Sequence, residues 1–207
     1  MVELTVYGSA KSTCTQRILI LLEELDLKYT LQPIDLGKGE HKTPEFVAMN
    51  PFGKVPVVKY GDKTLFESRA IMRYIATNNR DVQDLYPDVN ADVWMEVESQ
   101  LFNPHISKIV SEKMFKKWKG EPADDEVVEE SLEKLEEVLD IYEEHLEKSE
   151  YIAGDSFTIA DIAHIPYAYY FLKAGYKNVL KRRVKVYSWL KKIVQRPIVK
   201  RVLGGEM

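Results

Sequence analysis

The chain has 207 residues, 45% hydrophobic and 30% charged, with 29 basic against 33 acidic side chains and a net charge of −4. This balance suits one large or two small folded domains and gives no global field for nucleic acid. One cysteine excludes an intramolecular disulfide framework and a Cys-rich zinc site, four scattered histidines with no HxxxH pair argue against any other metal, and no apolar run reaches membrane-spanning length. These features point to the cytosol, as does an opening "MVELTVYG" too short and too acidic for a signal peptide.

In chain order, "ELTVYG" alternates like a strand, and "TQRILILLEELDL" carries apolar residues at helical spacing. "KYTLQPIDL" reads as a second strand and is followed by a polar loop. "VPVVKYGDKTLFES" reads as a hairpin turning at Tyr60-Gly61-Asp62-Lys63, and "SRAIMRYIATN" as a helix. The order strand, helix, strand, strand, strand, helix is α/β, with too few strands for a doubly wound dinucleotide fold and no GxGxxG after the first strand.

A break in composition divides the chain. Residues 1–78 form the α/β half, and the polar, aperiodic "NRDVQDLYPDVN" of 79–90 reads as a linker. Residues 91–207 are expected to be all-helical. "ADVWMEVESQLFNPHISKIV" reads as a long helix interrupted near Pro104. The next carries Val128, Leu132, Leu135, Leu139, Tyr142 and Leu146 on one stripe. Thr158 and Asp161 in "GDSFTIAD" form a capping box, a folding signal rather than a chemical one. The helix over about 121–150 is strongly acidic, and Lys173 to Arg201 is basic without an acidic residue. Packing of the basic helices beside the acidic one accounts for both.

Two stretches of the first half suggest a ligand. Pro56 enters a strand, a position where a cis peptide presents the preceding backbone edge to a ligand. Glu67 and Ser68 join a strand to a helix. The first N–H groups of that helix suit a carboxylate, and Glu67 suits an ammonium, which together describe an α-amino acid end.

"DLGKGEHKTPEF", "NPFGKVPVV", "LFESRAI" and "YIAGDSFTIADIAHIP", in this order and spacing, resemble the cytosolic glutathione transferases, the plant-type phi class in particular. The resemblance covers nearly the full chain and weakens after about residue 172. There Arg183 and Ser188-Trp189 stand where the family pattern has a proline and paired tryptophans. It implies a thioredoxin-like, glutathione-binding N-terminal domain and an all-helical C-terminal domain that shapes the electrophile pocket. Glutathione is the implied cosubstrate, no metal is implied, and neither a nucleic acid nor a membrane is an expected partner. His41, Lys42 and Lys54 would hold the glycyl carboxylate of glutathione. Val55, before Pro56, would pair with the cysteinyl unit, and Glu67 and Ser68 would take the γ-glutamyl end. Met114, Phe115, Tyr167, Tyr170 and Phe171 are candidate pocket walls, with domain core as the competing reading. A homodimer is implied, with Phe52 of the polar "NPFGK" loop plugging a partner's helical domain.

"GSAKSTCTQR" sets Ser12 against Cys14. Cys14 lies four residues before Ile18 and so falls on the core-facing stripe with Leu21, Leu22 and Leu25, where a cysteine is a small, inert hydrophobe. Ser12 is a natural N-cap. In the family pattern it is also the residue that donates to the glutathione sulfur. The resemblance thus implies a glutathione S-transferase with Ser12 as catalytic donor. A glutathione-dependent hydroperoxide reductase on the same site, a non-catalytic carrier of apolar ligands and a Cys14-based thiol transferase are the alternatives.

Overall fold

The computed structural model describes residues 3–81 and 84–204. Strand β1 (Leu4–Gly8) leads into helix α1 (Thr13–Glu24) and strand β2 (Thr30–Pro33), which pairs parallel to β1, Thr5 facing Thr30. A single 3₁₀ turn (Glu40–Lys42) and helix α2 (Pro44–Met49) follow. The hairpin β3 (Val57–Tyr60) and β4 (Lys63–Phe66) then adds antiparallel to β1, giving the sheet order β2-β1-β3-β4. Helix α3 (Ser68–Thr77) returns beside α1. This is the expected α/β layer with one addition. The segment read as a polar loop contains α2, capped by Thr43, whose hydroxyl accepts from the Phe46 N–H (3.4 Å). Only Phe46 of α2 is buried, so no apolar stripe announced it.

The second half is helical: α4 (Val89–Val97), α5 (Asn103–Val110), α6 (Lys116–Lys119), α7 (Asp125–His145), α8 (Ile159–Lys173), α9 (Lys177–Lys181), α10 (Val184–Val194) and α11 (Pro197–Leu203). α4 starts at Val89, inside the span read as linker, and Asp88 caps it. Two of that span's residues, 82 and 83, lie outside the described residues. Pro104 does not interrupt the helix as expected. A π turn over Glu98–Phe102 joins α4 to α5, the Asn103 N–H reaching back to Glu98 O, and Pro104 falls in the first turn of α5, where its missing N–H is tolerated. A second π turn, Ser111–Phe115, joins α5 to α6.

The core runs through both halves. α1 buries almost every side chain from Thr13 to Leu22 and packs against α3, α8 and α11. The stripe of α7 is buried as expected, with Leu132 at its half-buried edge. The capping box is present: Asp161 Oδ2 accepts from the Thr158 N–H (2.8 Å), while Oδ1 accepts from the Ile152 N–H and the Trp189 Nε1–H. Burial pushes the Asp161 carboxyl up, and these hydrogen bonds oppose that shift. The basic segment packs on the acidic helix. Arg183 Nε donates to Asp140 (2.6 Å) and Nη1 to Glu136 (3.3 Å), and Glu143 accepts from the Lys185 and Val186 N–H groups.

Candidate functional site

The site forms where the ends of β1, β3 and β4 meet the starts of α1 and α3. Gly8 ends β1, and a Cβ there would lie 2.6 Å from Thr15 Oγ1, so glycine lets the first turn of α1 fold back onto the strand. Ser12 caps that turn: its Oγ accepts from the Thr15 N–H at 3.4 Å. Gln16 Nε2 braces the preceding loop by donating to Ala10 O and to the Tyr170 hydroxyl, both at 2.9 Å.

A second cluster is built by two loops. Gly53 has φ 55°, and its absent Cβ would meet His41 O at 2.8 Å and Lys42 Nζ at 3.0 Å. The close approach sets His41 and Lys42 against the Gly53-Lys54 segment, so the three expected cations come from neighbouring stretches. Lys42 Nζ donates to Gly53 O (2.9 Å) and Phe52 O (3.3 Å), and His41 Nδ1 is a buried atom without a hydrogen-bond partner among the described residues. Buried Asn50 fixes the loop, donating to Lys54 O (2.7 Å) and accepting from the Phe52 N–H (3.1 Å). The Val55–Pro56 peptide is cis, and β3 begins directly after it.

Glu67 precedes α3 with φ 68° and ψ 108°. A non-glycine residue at positive φ costs about 1–3 kcal/mol, and such strain concentrates at ligand sites. Its side chain is exposed, while Ser68 is buried and accepts from Arg17 Nη1 at 3.5 Å.

Arg17 is a residue the sequence reading passed over. Its Nε donates to Ala163 O (2.8 Å), and its Nη2 to Glu98 (2.8 Å) and Asn103 (3.1 Å). Arg69 binds the other oxygen of Glu98, Nε donating to Oε2 at 2.6 Å. One guanidinium thereby ties α1 to α3, to the first π turn and to α8. Burial is the largest single influence on Arg17 and opposes its charge; Glu98, together with Cys14 and Tyr167, outweighs it, so the guanidinium pKa is raised.

The reading of Cys14 needs correction. Cys14 is half-buried rather than part of the core, with Arg17 Nη1 3.8 Å from its sulfur. Its neighbours Thr13 and Thr15 are both buried, so the partial exposure is local to position 14 on the first turn of α1.

Ser12 fronts a cleft of about 710 Å³. The first half contributes residues 9–13 and Ile34–Gly37, and the second contributes Ser111, Phe115, Trp118 and Lys119. Of the five suggested walls, Phe115 lines this cleft. Tyr170 stands behind it, its ring 5.7 Å from those of Phe115 and Trp118. Tyr167 lies near Cys14 and Arg17, and burial pushes its hydroxyl pKa up. Met114 is half-buried against the core, and Phe171 is fully buried and stacked on Tyr176, which makes it core rather than wall. Trp118, Ile34 and Leu36 complete the apolar surface and were not anticipated. The "FKKWK" run was the available signal for Trp118, an aromatic too isolated among lysines for a core helix. Among the described residues no group of His, Cys, Asp or Glu is placed to hold a metal ion, and no helix is long and apolar enough to cross a membrane.

Residues 2–77 match the family model described as "Glutathione S-transferase, N-terminal domain", and residues 102–197 match "Glutathione S-transferase, C-terminal domain". The chain is 40% identical to glutathione S-transferase F13 of Arabidopsis thaliana, covering 97% of this chain and 94% of that protein. It is 44% identical to glutathione S-transferase APIC of Nicotiana tabacum, covering 93% of each. The crystal structure of glutathione transferase F7 from Populus trichocarpa superposes with a TM-score of 0.91 at 42% identity over 97% of both chains. Glutathione S-transferase I from maize in complex with an atrazine glutathione conjugate gives 0.88 at 35% identity, covering 97% of this chain and 96% of that one.

Proposed function

The chain belongs to the glutathione S-transferase family, in its plant phi class, and we propose that it conjugates the glutathione thiolate to small hydrophobic electrophiles with Ser12 as the catalytic hydrogen-bond donor. The observation that carries this reading is the position of Ser12 at the first turn of α1, on a cleft whose opposite wall is aromatic.

A serine hydroxyl has one proton to give and two lone pairs to accept with. Ser12 uses a lone pair for the Thr15 N–H, which leaves its proton for an anion in the cleft. Capping and catalysis are therefore compatible in one side chain. A free thiol titrates near ~8.5, and lowering that by about two units takes ~2.7 kcal/mol of differential stabilisation. One hydrogen bond to a charged acceptor, about 1.5–3 kcal/mol, together with the positive end of α1 supplies it. Ser12 keeps its proton throughout. The thiolate then attacks an electrophilic carbon held against Phe115 and Trp118; the S–C bond forms as a halide or similar group leaves with its electron pair.

In this proposal His41, Lys42 and Lys54 receive the glycyl carboxylate, and Val55 pairs its backbone with the cysteinyl unit. Glu67 takes the γ-glutamyl ammonium, and Ser68 with the α3 N-terminus takes its carboxylate. The opposed polarity of the two ends fits a tripeptide with two carboxylates and one ammonium. The domains divide near residues 79–90, and the protein works in the cytosol, in keeping with its single unbridged cysteine.

We also propose a homodimer. Phe52 is 63% exposed in its loop, an unusual position for a large apolar side chain, and α4 with the π turn after it carries an apolar groove between Val93, Val97 and Leu101. Phe52 of one copy would fill that groove on the other.

The function is tested by glutathione calorimetry together with turnover on an aryl halide and on an organic hydroperoxide. Conjugation of the halide is expected. Glutathione binding with hydroperoxide turnover alone would assign the reductase instead.

A further inference from the structure

The cations around the mouth of the cleft fall into two groups. Lys113 pairs with Asp125 (2.5 Å), Lys116 with Glu112 (2.6 Å) and Lys38 with Asp35 (3.6 Å). Lys11 and Lys119, which line the cleft itself, have no ion-pair partner among the described residues. The one carboxylate on the wall, Asp35, is engaged locally. Its Oδ1 accepts from the N–H groups of Gly37 (2.9 Å) and Lys38 (3.1 Å), and Oδ2 faces the Lys38 ammonium. The cleft thus presents two uncompensated ammonium groups beside a broad apolar surface. Trp118 is 56% and Leu36 40% exposed on that surface, and Phe115 and Ile34 adjoin them. A cleft shaped only for neutral apolar compounds has no use for this charge.

We propose that the cleft selects electrophiles with an aromatic body and a carboxylate remote from the reacting carbon, Lys11 and Lys119 receiving the carboxylate. This rests on the transferase reading of the same site. In this proposal the groups follow one order along the substrate. The reacting carbon lies at Ser12, the ring lies against Phe115 and Trp118, and the anion lies at the rim. The lysines are exposed, so each contributes the modest, salt-sensitive attraction of a surface pair. Two acting on one carboxylate amount to about three- to tenfold in kcat/KM.

A matched pair of electrophiles tests this: an aryl enone bearing an oxyacetic acid arm on the ring, and its methyl ester. In both, the glutathione sulfur bonds to the terminal alkene carbon and the C=C pair moves onto the ketone oxygen. The enolate carbon then takes a proton from water, replacing the one the thiol lost. Each kcat/KM is divided by the uncatalysed rate with glutathione, and the acid-to-ester ratio is compared within one protein, which cancels any general change in activity. The wild type is expected to favour the acid by about three- to tenfold at low ionic strength, and less as salt rises. The Lys11→Gln/Lys119→Gln double variant should bring the ratio to about one and remove its salt dependence. A wild-type ratio of one or below, or a preference that survives the double substitution, overturns the proposal while leaving the transferase reading in place. Failure to convert either compound or a simple aryl halide overturns both.

Discussion

Arg17 and Glu98 meet at 2.8 Å with side chains 1% and 0% exposed, one from α1 and the other from the π turn after α4. The pair joins the two halves of the molecule directly behind the first turn of α1. A buried pair is costly to break from one side, because the remaining charge has no solvent. Glu98→Gln should therefore destabilise the protein by about 3–5 kcal/mol. The lower midpoint in urea should come without a change in the slope of the transition. Arg17→Met together with Glu98→Gln should recover part of that loss, since no guanidinium is then stranded at position 17. A single Glu98→Gln variant as stable as the wild type would show that the pair does not hold the halves together.

Glu67 should show a conflict between stability and binding. Its φ of 68° suits glycine. Glu67→Gly is expected to leave stability unchanged or raise it by up to about 1 kcal/mol as the strain is relieved. In calorimetry the same variant should bind glutathione about ten- to a hundredfold more weakly, the loss of one charged hydrogen-bond partner. Undiminished affinity in the folded variant would remove Glu67 from the site.

His164 ties stability to pH. It is fully buried in α8, and Ala160 O, 2.7 Å from Nδ1, can only accept, so Nδ1 carries the proton. Nε2 then accepts from the Tyr142 hydroxyl at 3.0 Å, and burial pushes the imidazole down to about 4. Between that value and the 6.5 of an unperturbed histidine the unfolded chain binds a proton that the native protein does not. Stability is thus full above pH 6.5 and falls as pH drops toward 4, by about 3 kcal/mol from this group. Urea midpoints across that window should decline in the wild type and decline less in His164→Gln. Parallel pH profiles for the two proteins would refute the assignment.

The sequence exposed most of the fold because its elements carry their signals locally. The hairpin is marked by apolar runs on both sides of the Tyr60-Gly61-Asp62-Lys63 turn, and α8 by Thr158 and Asp161 at capping-box spacing. α2 was missed although Thr43-Pro44 is a helix-start signal, because six residues with one buried side chain show no periodicity. Pro104 misled because proline usually ends a helix. A π turn, which sequence does not announce, had already shifted the hydrogen-bond register. The resemblance supplied the candidate glutathione residues. It did not supply Arg17, whose partners Glu98, Asn103 and Ala163 are 81, 86 and 146 residues away. An arginine inside "TQRILIL" has no local reason to be buried. Cys14 was misjudged for the converse reason: a helical stripe gives the direction of a side chain but not where the neighbouring layer ends.

Phe52 should control association. Phe52 is 63% exposed, and its ring meets that of Phe66 edge-on with centroids 6.2 Å apart. Filling a groove on a second copy would bury it, and burial of a phenylalanine side chain is worth about 1.5–3 kcal/mol. In a symmetric dimer that contact occurs twice, so Phe52→Ala should weaken dimerisation by about a hundredfold or more and shift sedimentation at micromolar concentration toward monomer. Val93→Asp, on the opposite side of the proposed contact, should do the same. A wild-type protein that sediments as a monomer would refute the dimer, and a dimer indifferent to both substitutions would place its interface elsewhere.

In the proposed mechanism capping and chemistry coincide at Ser12, so Ser12→Ala should move two quantities at once. Loss of the cap on the Thr15 N–H should cost about 1 kcal/mol of stability. Loss of the donor should raise the pKa of the bound thiol by about one to two units and cut conjugation at neutral pH by roughly ten- to a hundredfold. Stability alone cannot separate the two roles, because both readings lower the melting temperature. The pH profile can. If the hydroxyl acts by holding the thiolate, activity of Ser12→Ala should climb with pH through the higher thiol pKa and regain much of the wild-type rate, since hydroxide then makes the anion that the serine otherwise stabilises. The thiolate absorbance of the glutathione complex should titrate upward by the same interval. Ser12→Thr keeps both the hydroxyl proton and the capping oxygen and should restore most of each property. A Ser12→Ala protein that is destabilised yet titrates its bound thiol at the wild-type pH would leave Ser12 as a helix cap only, and the donor to the sulfur would have to be sought among the backbone N–H groups of the same turn.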